Sequence, residues 1–314
     1  MQVHTNPSKL QLIRPAVSIG IFDGVHRGHQ NLISRVKELA AISHSQTLVV
    51  TFWPHPRIVL GKAGPDFKML TSLEEKSAML EKLGVDHLLV VPFTPEFASL
   101  SAKQFLDDFL NQYIKPGVVV VGDDLRFGSG GSGNLQLLSD SGKIHGFEVV
   151  KLETHIENEA RISSTLIRDC LMSGKLETAN KLLGYPYFVN GEVVLGNRLG
   201  NTIGFPTANI ECAACFKQIP SDGVYAVTVD WNGATYQGML NIGIRPTIDD
   251  KGHKTFEVHL FDMSEDLYGQ NLRVNFIARL RDEKKFGGIE ELKAQLALDL
   301  LASKTEIEKF KQSI

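Results

Sequence analysis

Apolar, β-branched runs punctuate the first half of the chain at Val17–Phe22, Leu48–Trp53, His87–Phe93, Val118–Gly122 and Phe147–Leu152. Runs of this length without polar alternation predict strands buried on both faces, the condition of a parallel sheet. The stretches between them change period. Leu32, Ile33, Val36, Leu39 and Ala40 share one helical face, Leu73, Met79, Leu80 and Leu83 a second, and Phe105, Leu106, Phe109 and Leu110 a third. The strands return about every 30 residues, the length of a βαβ unit. The pattern predicts a doubly wound α/β domain whose ligands bind outside the carboxyl ends of its strands.

Near residue 184 the period changes again. Tyr187–Leu195, Val224–Trp231, Ala234–Asn241, Thr255–Phe261 and Leu272–Leu280 read as strands with few helices between them. Asn232-Gly233 supplies the two positive-φ positions of a tight hairpin. Only the tail, Gly288 to about Lys311, has helical spacing. These features predict a small antiparallel barrel with a terminal helix packed on it. A helical patch at Ile162–Leu183 and the Gly184-Tyr185-Pro186 break place the boundary, giving domains 1–183 and 184–314. A length of 314 residues suits two such domains.

Composition narrows the class. With 33 Lys+Arg against 36 Asp+Glu, the net charge of −3 gives no global reason to bind nucleic acid or an acidic membrane. The opening MQVHTNPSKLQLIRPA lacks a secretory apolar stretch, and no apolar run approaches the ~20 residues that span a bilayer. Three cysteines make no disulfide framework. The expectation is a cytoplasmic protein with small-molecule partners, and with neither nucleic acid nor membrane among them.

Gly20-Ile21-Phe22-Asp23-Gly24-Val25-His26-Arg27-Gly28-His29 leaves the first strand and opens the first helix. A helix start favours phosphate, and the glycines let backbone approach a ligand closely. Two imidazoles three residues apart, His26 and His29, could hydrogen-bond a phosphate during transfer. A zinc site or a surface pair are the alternatives; zinc needs three or four ligands, and no neighbouring Cys or Glu completes a set. Ser164, Thr165 and Arg168 offer hydroxyls and a planar fork of donors for phosphate oxygens, or else form a capped helix start. Gly128–Gly133 fits G-x-G-x-x-G without following the first strand, which favours a flexible loop over the active site. Cys212 and Cys215 lack the second pair that a zinc or redox site requires.

In the second half, Gly191, Gly196, Gly200 and Gly204 precede Pro206-Thr207-Ala208-Asn209. Glycines between strands imply close backbone approach, and their N–H groups can cradle phosphates. No G-x-x-x-x-G-K-[ST] occurs, which excludes a P-loop kinase. Thr207 and Asn209 share a face in extended backbone, and hard oxygen donors of that kind suit Mg²⁺ bound with ATP; PTAN alone could also be a turn.

The segment FDGVHRGH resembles the HxGH signature of the nucleotidyltransferase superfamily, in the form found in bifunctional riboflavin kinase/FAD synthetases. Thr51–Pro56, Gly122–Gly128 and Ile162–Arg168 agree with that family, as do GFPTAN at Gly204–Asn209, Asn241–Thr247 and Phe256–Asp262. The resemblance spans about residues 15 to 300. It implies a nucleotidyltransferase-like Rossmann domain that joins AMP from ATP to FMN, and a barrel that phosphorylates riboflavin with Mg·ATP. It further implies catalytic roles for His26, His29, Arg168 and Glu257, the last as base. Gly20, Phe22, Asp23, Gly24, Asp124, Arg126, Ser164 and Thr165 become ATP or flavin contacts of the first site. Gly196, Gly200, Gly204, Thr207 and Asn209 become those of the second, with Thr207 and Asn209 holding the metal. Leu125 stands where the family more often has Phe, and Arg198 departs from the usual form. Two other classes stay open: an adenylyltransferase for a different acceptor, and a flavin-binding sensor without chemistry.

Overall fold

The computed structural model describes residues 1–153, 156–157, 160–195, 204–212, 216–245, 253–263 and 265–312. The chain divides into two compact units, Met1–Ser164 and Thr165–Ile314.

The first unit is built on β1 (Gln2–His4), β2 (Ala16–Ile19), β3 (Thr47–Trp53), β4 (His87–Pro92), β5 (Val118–Val121) and β6 (Glu148–Lys151). They pair in parallel in the order β1-β4-β3-β2-β5-β6. Helices α1 (Arg27–Ile42), α2 (Leu73–Lys82), α3 (Phe105–Ile114) and α4 (Leu135–His145) carry the crossovers. Because strand side chains alternate, both faces of the sheet are buried. Leu48 and Val50 pack with Phe105, Leu106 and Phe109 of α3, whereas Val49 packs with Ile33 of α1 and Leu80 of α2. The five expected strands are present with ends shifted by up to three residues. The unexpected strand is β1, three residues held to β4 by backbone pairing and a His4–His87 ring-nitrogen hydrogen bond at 3.0 Å, and too short to show a period. α3 is wound with π-type spacing after a single turn at Ala102–Gln104.

The strand order fixes where chemistry can sit. From β2 the chain winds outward through β3 and β4, then returns to place β5 on the other side of β2. The switch point therefore lies between β2 and β5, and the crevice beyond their carboxyl ends is where such sheets bind ligands. The Gly20–His29 segment leaves β2 there, and Gly122–Gly128 leaves β5 beside it. A two-strand ladder, β7 (Ile156–Glu157) with β8 (Ala160–Arg161), follows β6.

The second unit, from Thr165, holds the rest of α5 (Ser164–Met172) and α6 (Leu176–Leu183). A closed barrel follows: β9 (Phe188–Val194), β10 (Ala208–Cys212), β11 (Gly223–Trp231), β12 (Ala234–Arg245), β13 (His253–Leu260) and β14 (Asn271–Arg281), in the order β10-β13-β12-β11-β14-β9. β10 is the strand that sequence patterning missed, since its first residues read only as a motif. Helix α7 (Ile289–Gln312) buries Ile307 against Met239, Ile277 and Ala278, and its Asp299 takes a bidentate pair from Arg281 at 2.9 and 2.7 Å. The division between units comes earlier than the Gly184 break. Ser221 N donates to Leu171 O (3.0 Å), Asn180 Nδ2 to Phe276 O (2.9 Å) and Arg279 N to Glu177 Oε1 (3.1 Å), so α5 and α6 are bonded to the barrel.

Candidate functional site

The turn between β2 and α1 is strained and held. Phe22 (φ 53), Gly24 (φ 78) and Val25 (φ 36) all have positive φ, a costly state for the branched Val25. The Asp23 carboxylate accepts from Leu70 N (2.9 Å) and Thr71 N (3.1 Å), and Gly24 N donates to Thr71 Oγ1 (3.1 Å). Asp23 is buried, and those bonds turn its carboxylate toward the 70–71 loop. Ser164 donates its hydroxyl proton to Asp23 O (2.9 Å).

Two histidines emerge from this turn. His26 caps α1: its Nδ1 accepts from His29 N, which leaves its ring proton on Nε2. The two imidazoles stack, with centroids 3.7 Å apart and planes 14° from parallel, and Phe22 packs against His29 at 5.1 Å. Burial pushes His26 down to about 4, against the pull of Asp23 and Asp124. Burial, then His26 and Lys76, hold His29 well below the usual histidine range. Both rings are therefore neutral near pH 7. His29 Nδ1 is buried without a hydrogen-bond partner among the described residues, a vacancy that a bound group would fill. Gly28 makes room for the arrangement, because a Cβ there would lie 3.2 Å from the His26 ring. Ring N–H donors at a helix start suit an anion. Among the described residues no three His, Cys, Asp or Glu side chains form a metal cluster.

The remaining residues expected at this site separate. Gly20 lies directly beneath the Phe22 ring. Asp124 is exposed, pairs with Arg161 at 2.9 Å, and acts on His26 through its charge; Arg126 is exposed on the same loop. Thr165 and Arg168 lie on α5 and belong to the second unit, where Arg168 is buried. The Gly128–Gly133 loop is bonded down and is not an open flap. Ser129 N donates to Leu100 O (2.6 Å) and Gly133 N to Phe127 O (2.8 Å), and Phe127 stays against Phe105 at 5.2 Å.

Sequence reasoning missed Lys76. This side chain is fully buried beneath the turn, where Nζ donates to Ile21 O at 2.6 Å. The available signal was its spacing: Leu73, Lys76, Leu80 and Leu83 follow a core stripe, so a lysine occupies an apolar position.

On the barrel, backbone pairing builds a row. Asn209 of β10 lies directly across from Glu257 of β13, and Glu257 directly across from Asn241 of β12. Directly paired residues point to one face, and this face is opposite the one that buries Ile210, Val258 and Leu240 inside the barrel. Glu257 thus stands between two carboxamides, half-buried. Asn241 Nδ2 reaches Glu283 Oε1 at 3.4 Å. Gly204 turns the chain into β10 with φ 84, and His259 donates from Nδ1 to Pro206 O at 2.7 Å, which anchors the Pro206–Asn209 segment. A crevice of about 370 Å³ opens beside Thr207, walled by Val193, Pro206, Ala208, Leu260 and Tyr268. Gly196, Arg198, Gly200 and Cys215 lie outside the described residues.

Comparison with known proteins assigns each half. A family model described as FAD synthetase matches residues 9–166, and one described as riboflavin kinase matches residues 183–307. The bifunctional riboflavin kinase/FMN adenylyltransferase of Bacillus subtilis is 40% identical over 295 residues, covering 93% of this chain and 92% of its own. That of Escherichia coli K12 is 40% identical over 290 residues, covering 92% and 91%. A crystal structure from Streptococcus pneumoniae, described as a macrolide-efflux protein, superposes with a TM-score of 0.86 at 33% identity over 96% of this chain and 98% of that one. No helix among the described residues is long and apolar enough to cross a membrane.

Proposed function

Because the chain belongs to the bifunctional riboflavin kinase/FMN adenylyltransferase family, phosphorylating riboflavin with its second half and adenylating FMN with its first, we propose a specific division of labour among its residues. Riboflavin, FMN and ATP are its substrates. A cytoplasmic site of action belongs to the same proposal.

In the first half, His26 and His29 donate hydrogen bonds to the ATP phosphates as FMN phosphate attacks the α-phosphorus and pyrophosphate leaves. The supporting observation is the neutral, stacked histidine pair at the start of α1. Donors fixed before the reaction stabilise charge that grows on the phosphoryl oxygens without reorganising. Arg168, Thr165 and Ser164 would serve the triphosphate, with Gly20, Gly24, Asp124 and Arg126 around it. Phe22 and Asp23 act through the turn: the first packs His29 and the second anchors the 70–71 loop.

In the second half, Glu257 takes the proton of the riboflavin primary alcohol. The supporting observation is the row Asn209–Glu257–Asn241, which sets the carboxylate beside the segment that carries Thr207. Thr207 and Asn209 would hold Mg²⁺ through oxygen donors, a set that fits a hard cation sharing its shell with phosphate and water. When bound, Mg²⁺ neutralises charge on the transferring phosphoryl group. The glycines at 196, 200 and 204 would let backbone approach the phosphates.

One crossed experiment tests both assignments. Full-length His29→Ala and Glu257→Gln proteins are each supplied with riboflavin and Mg·ATP, and separately with FMN and Mg·ATP, and the flavins are separated by chromatography. His29→Ala should accumulate FMN and make no FAD. Glu257→Gln should lose riboflavin phosphorylation by roughly 10²–10⁴ while still converting supplied FMN to FAD. Undiminished FAD from the first variant, or a kinase loss under about tenfold in the second, would remove the corresponding role.

A further inference from the structure

Lys76 has no part in the mechanism above, yet it is the fully buried cation of the first unit that lies under the reacting turn. Its ammonium donates to Ile21 O at 2.6 Å and lies 3.4 Å from Thr51 Oγ1, which itself donates to Ile21 O at 3.0 Å. One carbonyl thus joins α2, the end of β3 and the turn leaving β2. Burying an ammonium is expensive, and a hydrophobic side chain would fill this stripe of α2 at lower cost. A lysine at that position needs a reason beyond packing.

We propose that Lys76 is a positioning residue for adenylyl transfer, clamping Ile21 O so that the turn presents His26 and His29 in register, and adding its positive charge to the surroundings of His29. This rests on the reading of His29 given above. The titratable groups around His29 are His26, stacked on it at the start of α1, and Lys76 of α2; Asp23 acts on both of these, and Asp124 of the loop after β5 on His26. Lys76 and His26 oppose a proton on His29. Burial brings Lys76 itself down to about 8, with Asp23 resisting, so it is charged at neutral pH. Removing that charge makes protonation of His29 easier, and the acid limb of adenylylation then moves to higher pH.

The test compares FMN adenylylation by full-length wild type, Lys76→Met, Lys76→Arg and Thr51→Val across pH 5–9, with riboflavin phosphorylation by the same preparations as a control on folding. Lys76→Met should lose about 10²-fold in kcat, with smaller changes in KM for ATP and FMN, and its acid limb should rise. Lys76→Arg should recover the wild-type acid limb. Thr51→Val, which removes a bond but no charge, should leave that limb in place. An equal loss in Lys76→Met with an unmoved acid limb reduces Lys76 to packing and overturns the proposal, as does unchanged kcat. Should Lys76→Met fail to fold, Lys76→Gln takes its place: a raised acid limb supports the proposal, and an unmoved one overturns it. Loss of the His29 role itself reads differently, because His29→Ala would then keep making FAD whatever Lys76 does.

Discussion

Gly28 matters through the atom it lacks. A Cβ at this position would press on the His26 ring at 3.2 Å, while the backbone is ordinary first-turn helix, where alanine is the better helix former. Gly28→Ala should therefore slow FMN adenylylation by about 10–10²-fold without lowering the melting temperature, as paired kinetic and thermal measurements would reveal. His26 makes a prediction in pH. Its folded value, about 4, lies below the ordinary 6.5, so between those values the unfolded chain binds a proton that the folded chain refuses. Stability then rises with pH across that window, and acidification toward pH 4 costs up to about 3 kcal/mol. Denaturant titrations between pH 5 and 6.5 should show this slope in the wild type and a shallower one in His26→Ala. At the residue scale, motifs single out His26, His29 and Glu257 as candidates in the sequence. The chemistry was not legible where the decisive contact is long-range: the inward turn of the Asp23 carboxylate and the burial of Lys76 depend on chain some 50 residues away, beyond any local period.

At the scale of elements, hydrophobic runs located the long strands because burial on both sheet faces demands them. The short β1 and the motif-bearing β10 carry no such run, since backbone pairing holds them in place. The loop at Gly128–Gly133 shows how composition can mislead. Its glycines read as freedom, yet positive φ at Gly128, Gly130 and Gly131 and close approach at Gly133 make it a fitted plug. A Cβ at Gly133 would overlap the Phe127 ring, itself packed on Phe105 of α3. Gly133→Ala should destabilise the first unit by about 1–3 kcal/mol, the usual cost of overpacking, seen as a lower unfolding midpoint with riboflavin phosphorylation intact.

For the whole molecule, the bonds from α5 and α6 to the barrel recast the boundary question. Residues 184–314 hold the kinase motifs, but Leu171 O, Glu177 Oε1 and the Asn180 side chain each satisfy a backbone group of the following chain. A fragment of residues 165–314 should melt at a higher temperature than one of residues 184–314, and both should produce FMN but no FAD. Equal melting temperatures would show that the two helices contribute nothing to the barrel. The sequence break at Gly184-Tyr185-Pro186 ends a helix and says nothing of which side that helix joins, which is why the division at 164/165 was not legible beforehand.

The barrel closes through β9 against β14, pairing residues 188–192 with 271–275. On a ribosome this separates the two activities in time. The parallel sheet is complete in sequence once β6 has been made, so the adenylyltransferase half can fold while the rest of the chain is still being translated. The side of the first barrel strand that pairs with β14 must wait through some 80 residues for its partner, roughly 4–16 s at ordinary elongation rates. During that interval β9 keeps one edge unpaired in the company of an already folded neighbour, and the kinase half is the part of the nascent chain most exposed to chaperones and proteases.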